Sequence, residues 1–207
     1  MIRRGLLPVL IATTMCHQGN AQAPQIQSSQ THAKVNMQGW AVHFSLELWR
    51  NEKEITTRFA ELLDGQLQRV AKVVPANALM RLRRVPIWVN PTYEGIQPRA
   101  EYHSSADWLS ENGRNPAMAK SIEFTNVKIF PFENRRMPYV ALHELCHAYH
   151  EQVLGFDEPT IIAAYEAAKA SGIYEQVQRF DGNKTVKDRA YALENHNEYF
   201  AELTEAY

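Results

Sequence analysis

Apolar positions recur in two rhythms along the chain. Between residues 52 and 74, Ile55, Phe59, Leu62, Leu63, Leu67, Val70 and Val74 return every three or four positions, the spacing of one helix face. Gly65 weakens that helix without ending it. Residues 40–46 instead alternate apolar and polar, as a half-buried strand does. Residues 85–89 predict a short buried strand stopped by Asn90-Pro91, and 121–126 another, with Ile122 and Phe124 on one side. Residues 91–104, with their prolines, glycine and tyrosines, read as an irregular loop, and 105–111 as a short helix closed by Asn112-Gly113. Pro138 opens a helix that runs to about Leu154, where Gly155 ends it. Residues 159–170 predict a further helix ended by Gly172. Residues 186–207 hold a last one, starting near Tyr191 or Glu194. The order predicts an α+β domain with a small mixed sheet packed on helices.

Ahead of this domain the pattern changes. Arg3 and Arg4, a short apolar run from Gly5 to Met15 and the small-x-small triplet Ala21-Gln22-Ala23 predict an export signal over residues 1–23. The run is too short to span a bilayer, so no stable membrane insertion is expected. Residues 24–36, rich in Gln, Ser and Thr, read as a flexible leader, leaving 37–207 as one catalytic domain. Export implies a secreted or periplasmic protein. Removal of the signal takes away Arg3, Arg4 and Cys16. It leaves 20 basic against 23 acidic side chains and a formal net charge of −3. That charge gives no footprint for nucleic acid. Cys146 alone remains of the cysteines, so no internal disulfide can form.

The chemistry concentrates in His143-Glu144-Leu145-Cys146-His147. Histidines four apart on a helix share one face and can bind one ion, and neutral imidazole suits zinc. Glu144 lies about 100° round the helix from His143, beside the ligand face. There it can take a proton from water polarised by the metal without using a coordination site. A catalytic zinc site needs a third protein ligand and one open position. On the last helix Glu194, Glu198 and Glu202 lie four apart on one face, and spacing alone does not choose among them.

Tyr191-Ala-Leu-Glu-Asn-His-Asn-Glu198-Tyr-Phe-Ala-Glu202 resembles the zinc-binding segment that follows the HExxH helix in the anthrax lethal factor-like metallopeptidases. These are zincins whose third ligand is a glutamate. The resemblance implies a zincin-like fold, Zn2+ as cofactor and peptide-bond hydrolysis, on a peptide or protein substrate. It implies Glu198 as third ligand and Glu144 as general base. Glu202 would hold a ligand histidine by its other ring nitrogen, and Tyr191 would donate to the developing oxyanion. Residues 108–113, 121–126 and 143–150 are also similar to a group of secreted bacterial HExxH proteins of unknown substrate. Zincins pair extended substrate with an edge strand near the metal. Residues 122–126 are one candidate for that strand and equally an interior strand. Two other readings stay open: a non-catalytic metal-containing binding module, and a zinc hydrolase of a non-peptide amide.

Further residues are given quieter roles. His150 reads as exposed or as a second-shell residue, and His103 and His196 as surface histidines. Cys146 is expected to be a core thiol, and Trp40, Trp49, Trp88 and Trp108 core residues.

Overall fold

The computed structural model describes residues 27–28 and 31–206. The export signal expected over residues 1–23 lies outside the described residues. The fold is α+β, as expected, with a six-stranded mixed sheet in the order β1-β2-β3-β4-β6-β5. Strand β1 (Gln27–Ser28) pairs antiparallel with β2 (His32–Met37), and β2 with β3 (Trp40–Ser45). The β2–β3 turn is two residues long, with positive φ at Gln38 (53°) and Gly39 (97°). That conformation matches the right-handed twist of the flanking strands. A Cβ at residue 39 would also run into the Arg83 side chain. Residues 32–36, assigned to a flexible leader, therefore belong to the sheet. Val35 and Ala33 turn toward its covered face, although the flanking residues are polar.

Ser45 ends β3 and caps α1 (Leu46–Asn51), its Oγ accepting from the Glu47 N–H at 3.2 Å. Helices α2 (Lys53–Val73) and α3 (Ala76–Leu82) carry the chain to β4 (Ile87–Val89), parallel to β3. Strand β5 (Ala100–His103), helix α4 (Ala106–Glu111) and a 3-10 turn (Pro116–Met118) precede β6 (Ser121–Phe124). Strand β6 lies parallel to β4, and β5 closes the edge antiparallel to β6. Thus 122–126 is interior, and the edge strand comes from the segment read as a loop.

One face of the sheet packs on α2 and α6 (Val140–Tyr149). Its centre is aromatic: Phe59 lies 4.5 Å from Phe130 and 5.5 Å from Phe124, centroid to centroid, with Leu63, Leu67, Ile87, Ile122 and Leu145 fully buried around them. Helix α5 (Phe130–Arg136) supplies Phe130. Cys146 joins this core as expected, its thiol pushed up to about 12 by burial. Among the tryptophans, Trp40 is buried, Trp49 and Trp88 are half-buried, and Trp108 is exposed.

The other face is polar at its centre. Glu123 of β6 is fully buried. It accepts from Asn90 Nδ2 (2.6 Å), the Tyr93 hydroxyl (2.6 Å), His103 Nε2 (2.8 Å) and Arg114 Nη1 (3.2 Å). His103 is therefore a buried partner of Glu123, not a surface residue. Burial raises the Glu123 carboxyl, but His103, Tyr93 and Asn90 outweigh it and hold it below its usual 4.5. Its stabilising effect is thus complete above that value and drains as pH falls through the lower folded value. Glu123→Ala should cost about 3–5 kcal/mol, because it removes the buried acceptor shared by Asn90, Tyr93, His103 and Arg114 and leaves Arg114 with Glu101 alone. It should also flatten the acid limb of stability against pH. Urea unfolding at pH 7 and pH 4 checks both.

The chain ends with a turn of π-helix (His150–Leu154) after α6, then α7 (Pro159–Ser171), a separate two-stranded hairpin of β7 (Val177–Phe180) and β8 (Thr185–Asp188), a 3-10 turn (Tyr191–Leu193) and α8 (His196–Ala206). Residues 186–188, ahead of the expected helix start near Tyr191 or Glu194, are strand, and α8 begins at His196. No helix among the described residues is long and apolar enough to cross a membrane.

Candidate metal centre

The site is built where α6 and α8 pack together. Helix α6 has no cap of its own, and α2 supplies one. The buried Gln66 accepts from the Ala141 N–H through Oε1 (2.9 Å) and donates to Asn134 Oδ1 (2.8 Å). That satisfies one of the free N–H groups of the first turn and fixes the helix start two residues before His143. On α8 the Asn195 Oδ1 accepts from the N–H groups of Asn197 and Glu198, both at 2.9 Å. This cap sets Glu198 in the first turn, facing α6.

Three side-chain atoms meet there. His143 Nε2 lies 3.2 Å from His147 Nε2 and 3.1 Å from Glu198 Oε2, and His147 Nε2 lies 3.4 Å from the same oxygen. A tetrahedral ion with bonds of about 2.0–2.1 Å sets its ligand atoms about 3.3 Å apart, so all three separations fit one ion. His143, His147 and Glu198 are thus brought together as a set that could hold a metal. Glu194 is not: it lies on the surface within 3.7 Å of Arg189.

Behind the site, His143 Nδ1 is buried and lacks a hydrogen bond of normal length. Its nearest acceptors are Glu202 Oε1 at 3.5 Å and Glu205 Oε2 at 3.6 Å. Glu202 and Glu205 stand side by side there. Glu205 follows Glu198 by seven residues on the same helix face, one turn beyond the expected row of Glu194, Glu198 and Glu202. Burial depresses the His143 imidazole, but Glu198, Glu205 and Glu144 lift it to about 10. Burial raises the Glu198 carboxyl, and the two histidines bring it down to about 2. Two imidazoles and one ionised carboxylate form a donor set that suits zinc.

Glu144 is 7% exposed, and burial raises its carboxyl above the ordinary range. The main chain at Tyr102, in β5, acts on it in the opposite direction, so the general-base candidate sits between α6 and the sheet edge. Tyr191 is 53% exposed, its ring centroid 6.4 Å from that of His143. The turn that carries it is fixed through the Leu193 carbonyl, which accepts from Tyr165 (3.1 Å) and Arg189 (2.9 Å).

All these groups open onto one cleft of about 1130 Å³. Residues 98–102 and 104 form one part of its lining, α5 and the start of α6 another, and the β7–β8 hairpin a third. The chain matches no family model, no curated protein and no solved structure.

Two further histidines depart from their expected surface roles. His150 is fully buried against Phe156 (5.3 Å) and Phe200 (4.9 Å). His196 is half-buried and donates through Nε2 to the Phe156 carbonyl at 2.8 Å. Both pin the α6–α7 connection onto α8. Glu101, His103 and Glu123 also lie close enough to share an ion. Arg114 bonds both carboxylates of that group and Arg99 lies 3.5 Å from Glu101, so two guanidinium groups already balance their charge.

Proposed function

We propose that this chain is a zinc-dependent hydrolase of peptide bonds, with a zincin-like arrangement of HExxH helix, edge strand and glutamate-bearing helix. The observation that carries the reading is the triangle of His143, His147 and Glu198 ligand atoms with 3.1–3.4 Å sides, beside a buried carboxyl that is not part of it. Zinc, when bound, supplies a Lewis acid and a water of lowered pKa, about 7.

The chain's own residues do the rest. Glu144 accepts a proton from the attacking water and returns it to the departing amine. Burial raises its carboxyl above the ordinary range, which favours taking up the proton before passing it on. Tyr191 extends its hydroxyl into the cleft and donates to the oxygen on which charge develops. The carboxylates of Glu202 and Glu205, 3.5 and 3.6 Å from His143 Nδ1, favour the proton on that nitrogen and so leave Nε2 free for the ion. The outer edge of β5 offers main-chain groups to an extended chain, and this favours a peptide over a non-peptide amide.

The test uses the purified protein loaded with zinc, a quenched peptide library and a chelator. Cleavage should vanish on chelation and return with about one equivalent of zinc. Cleavage of no peptide by protein with one bound zinc would overturn the reading.

A further inference from the structure

The β7–β8 hairpin belongs to neither the main sheet nor a helical layer, yet it lines the cleft through Gln178, Arg179, Phe180 and Asp188. Its register runs from Val177↔Asp188 to Phe180↔Thr185. It is tied at its base, where the Ala190 N–H donates to the Tyr174 carbonyl at 2.9 Å, and across its strands by Arg179 and Asp188 at 2.6 Å. At the tip Asp181 Oδ1 accepts from the N–H groups of Asn183 (2.8 Å) and Lys184 (2.9 Å).

From residue 171 to 189 every position is half-buried or exposed except one, Gly182. Gly182 has φ +103°, and the Phe132 ring of α5 fills the place that its Cβ would take. A lone two-stranded hairpin is marginal in water. Its hold on the body of the protein therefore rests on the base and on the seat of Gly182 against Phe132. Segments with so little burial open locally, well below the cost of global unfolding.

We propose that this hairpin is a flap that forms one wall of the cleft, latched by Gly182 on Phe132, and that it restricts the substrate to extended, unfolded peptide segments. With the latch closed, His143 and Glu144 stay buried and are met through a cleft bounded by β5, α5 and the hairpin. A single extended chain can lie along β5 in that space. A loop on a folded protein brings bulk on both sides of the scissile bond and requires the flap to open.

The inference rests on the hydrolase reading, and the experiment separates the two. Phe132→Ala removes the latch without touching the metal site or the core. A second variant replaces residues 176–188 by Gly-Gly and keeps the Tyr174–Ala190 base. Each is compared with the parent on a short quenched peptide and on the same sequence set in a loop of a folded carrier protein. The peptide should be cleaved at the parent's rate. The carrier should be cleaved about tenfold faster or more, because a minor open state has become a major one. Amide exchange over 177–180 and 185–188 should speed up in Phe132→Ala. Equal change on both substrates, or change on neither, overturns the selection of extended chains. If the zinc-loaded parent cleaves no peptide, the hydrolase reading fails. The latch is then judged by exchange alone, and unchanged hairpin protection in Phe132→Ala overturns it.

Discussion

Glu144→Gln is expected to keep its zinc and lose its hydrolysis. The three candidate ligand atoms belong to His143, His147 and Glu198, so an amide at 144 leaves them in place. The amide matches the carboxyl in shape but neither accepts a proton from water nor returns one to the amine. Loss of a general acid–base group costs about 10²–10⁴ in rate, and here one residue serves both steps. The variant should fold at least as well as the parent. Burial disfavours the ionised carboxyl at this position, and a neutral amide is cheaper to bury. Zinc content, thermal unfolding and turnover of one quenched peptide are measured together. A variant that holds zinc and cleaves at the parent's rate removes Glu144 from the mechanism. A variant that loses zinc shows instead that the carboxyl supports the site.

The elements read correctly from the chain are those with one continuous apolar face. Helix α2 shows its face because Phe59, Leu63, Leu67 and Val70 all point into one core. Strand β6 shows its alternation because Ile122 and Phe124 meet α2 and α5 while Ser121 and Glu123 face away. Strand β5 breaks that rule. Its buried position is His103, its neighbour Glu101 is bonded to Arg114, and what they face is a carboxylate network rather than a core. Ala100 and Tyr102 pack on the core from the other side, but an alternation of four residues beside prolines and a glycine is too short to read as a strand. The same network explains why His103 was placed on the surface. The hairpin was missed for the opposite reason: Val177–Phe180 and Thr185–Asp188 bury almost nothing, and their pairing is local.

The site was more legible than the fold around it. Helical spacing is enough to set His143 beside His147, and Glu198 beside Glu202. The meeting of the two helices is tertiary, and it depends on residues that carry no such signal. Gln66 lies 75 positions before the Ala141 N–H that it caps, and Asn195 aims Glu198 through its own side chain. Glu205 could have been found by extending the face of Glu198 and Glu202 by one more turn.

That third carboxylate makes the metal affinity of the α8 variants unequal in a way that tests the whole arrangement. Glu198→Ala removes a candidate ligand and leaves two imidazoles, so its zinc affinity should fall by far more than the 10–100-fold typical of outer partners. Glu202→Ala and Glu205→Ala remove the acceptor oxygens and act only through His143 Nδ1. The two oxygens stand at 3.5 Å and 3.6 Å from that nitrogen, so either can take its proton when the other is gone. Each single variant should therefore weaken zinc by about tenfold or less. The double variant, which leaves a buried N–H with no acceptor, should lose about 100-fold, more than the product of the singles. Competition against a chromophoric chelator at fixed pH gives all four affinities. Additive losses would mean that the two carboxylates do not share the histidine. A Glu198→Ala protein that binds zinc as tightly as the double variant would remove Glu198 from the ligand set and leave α8 only a supporting part.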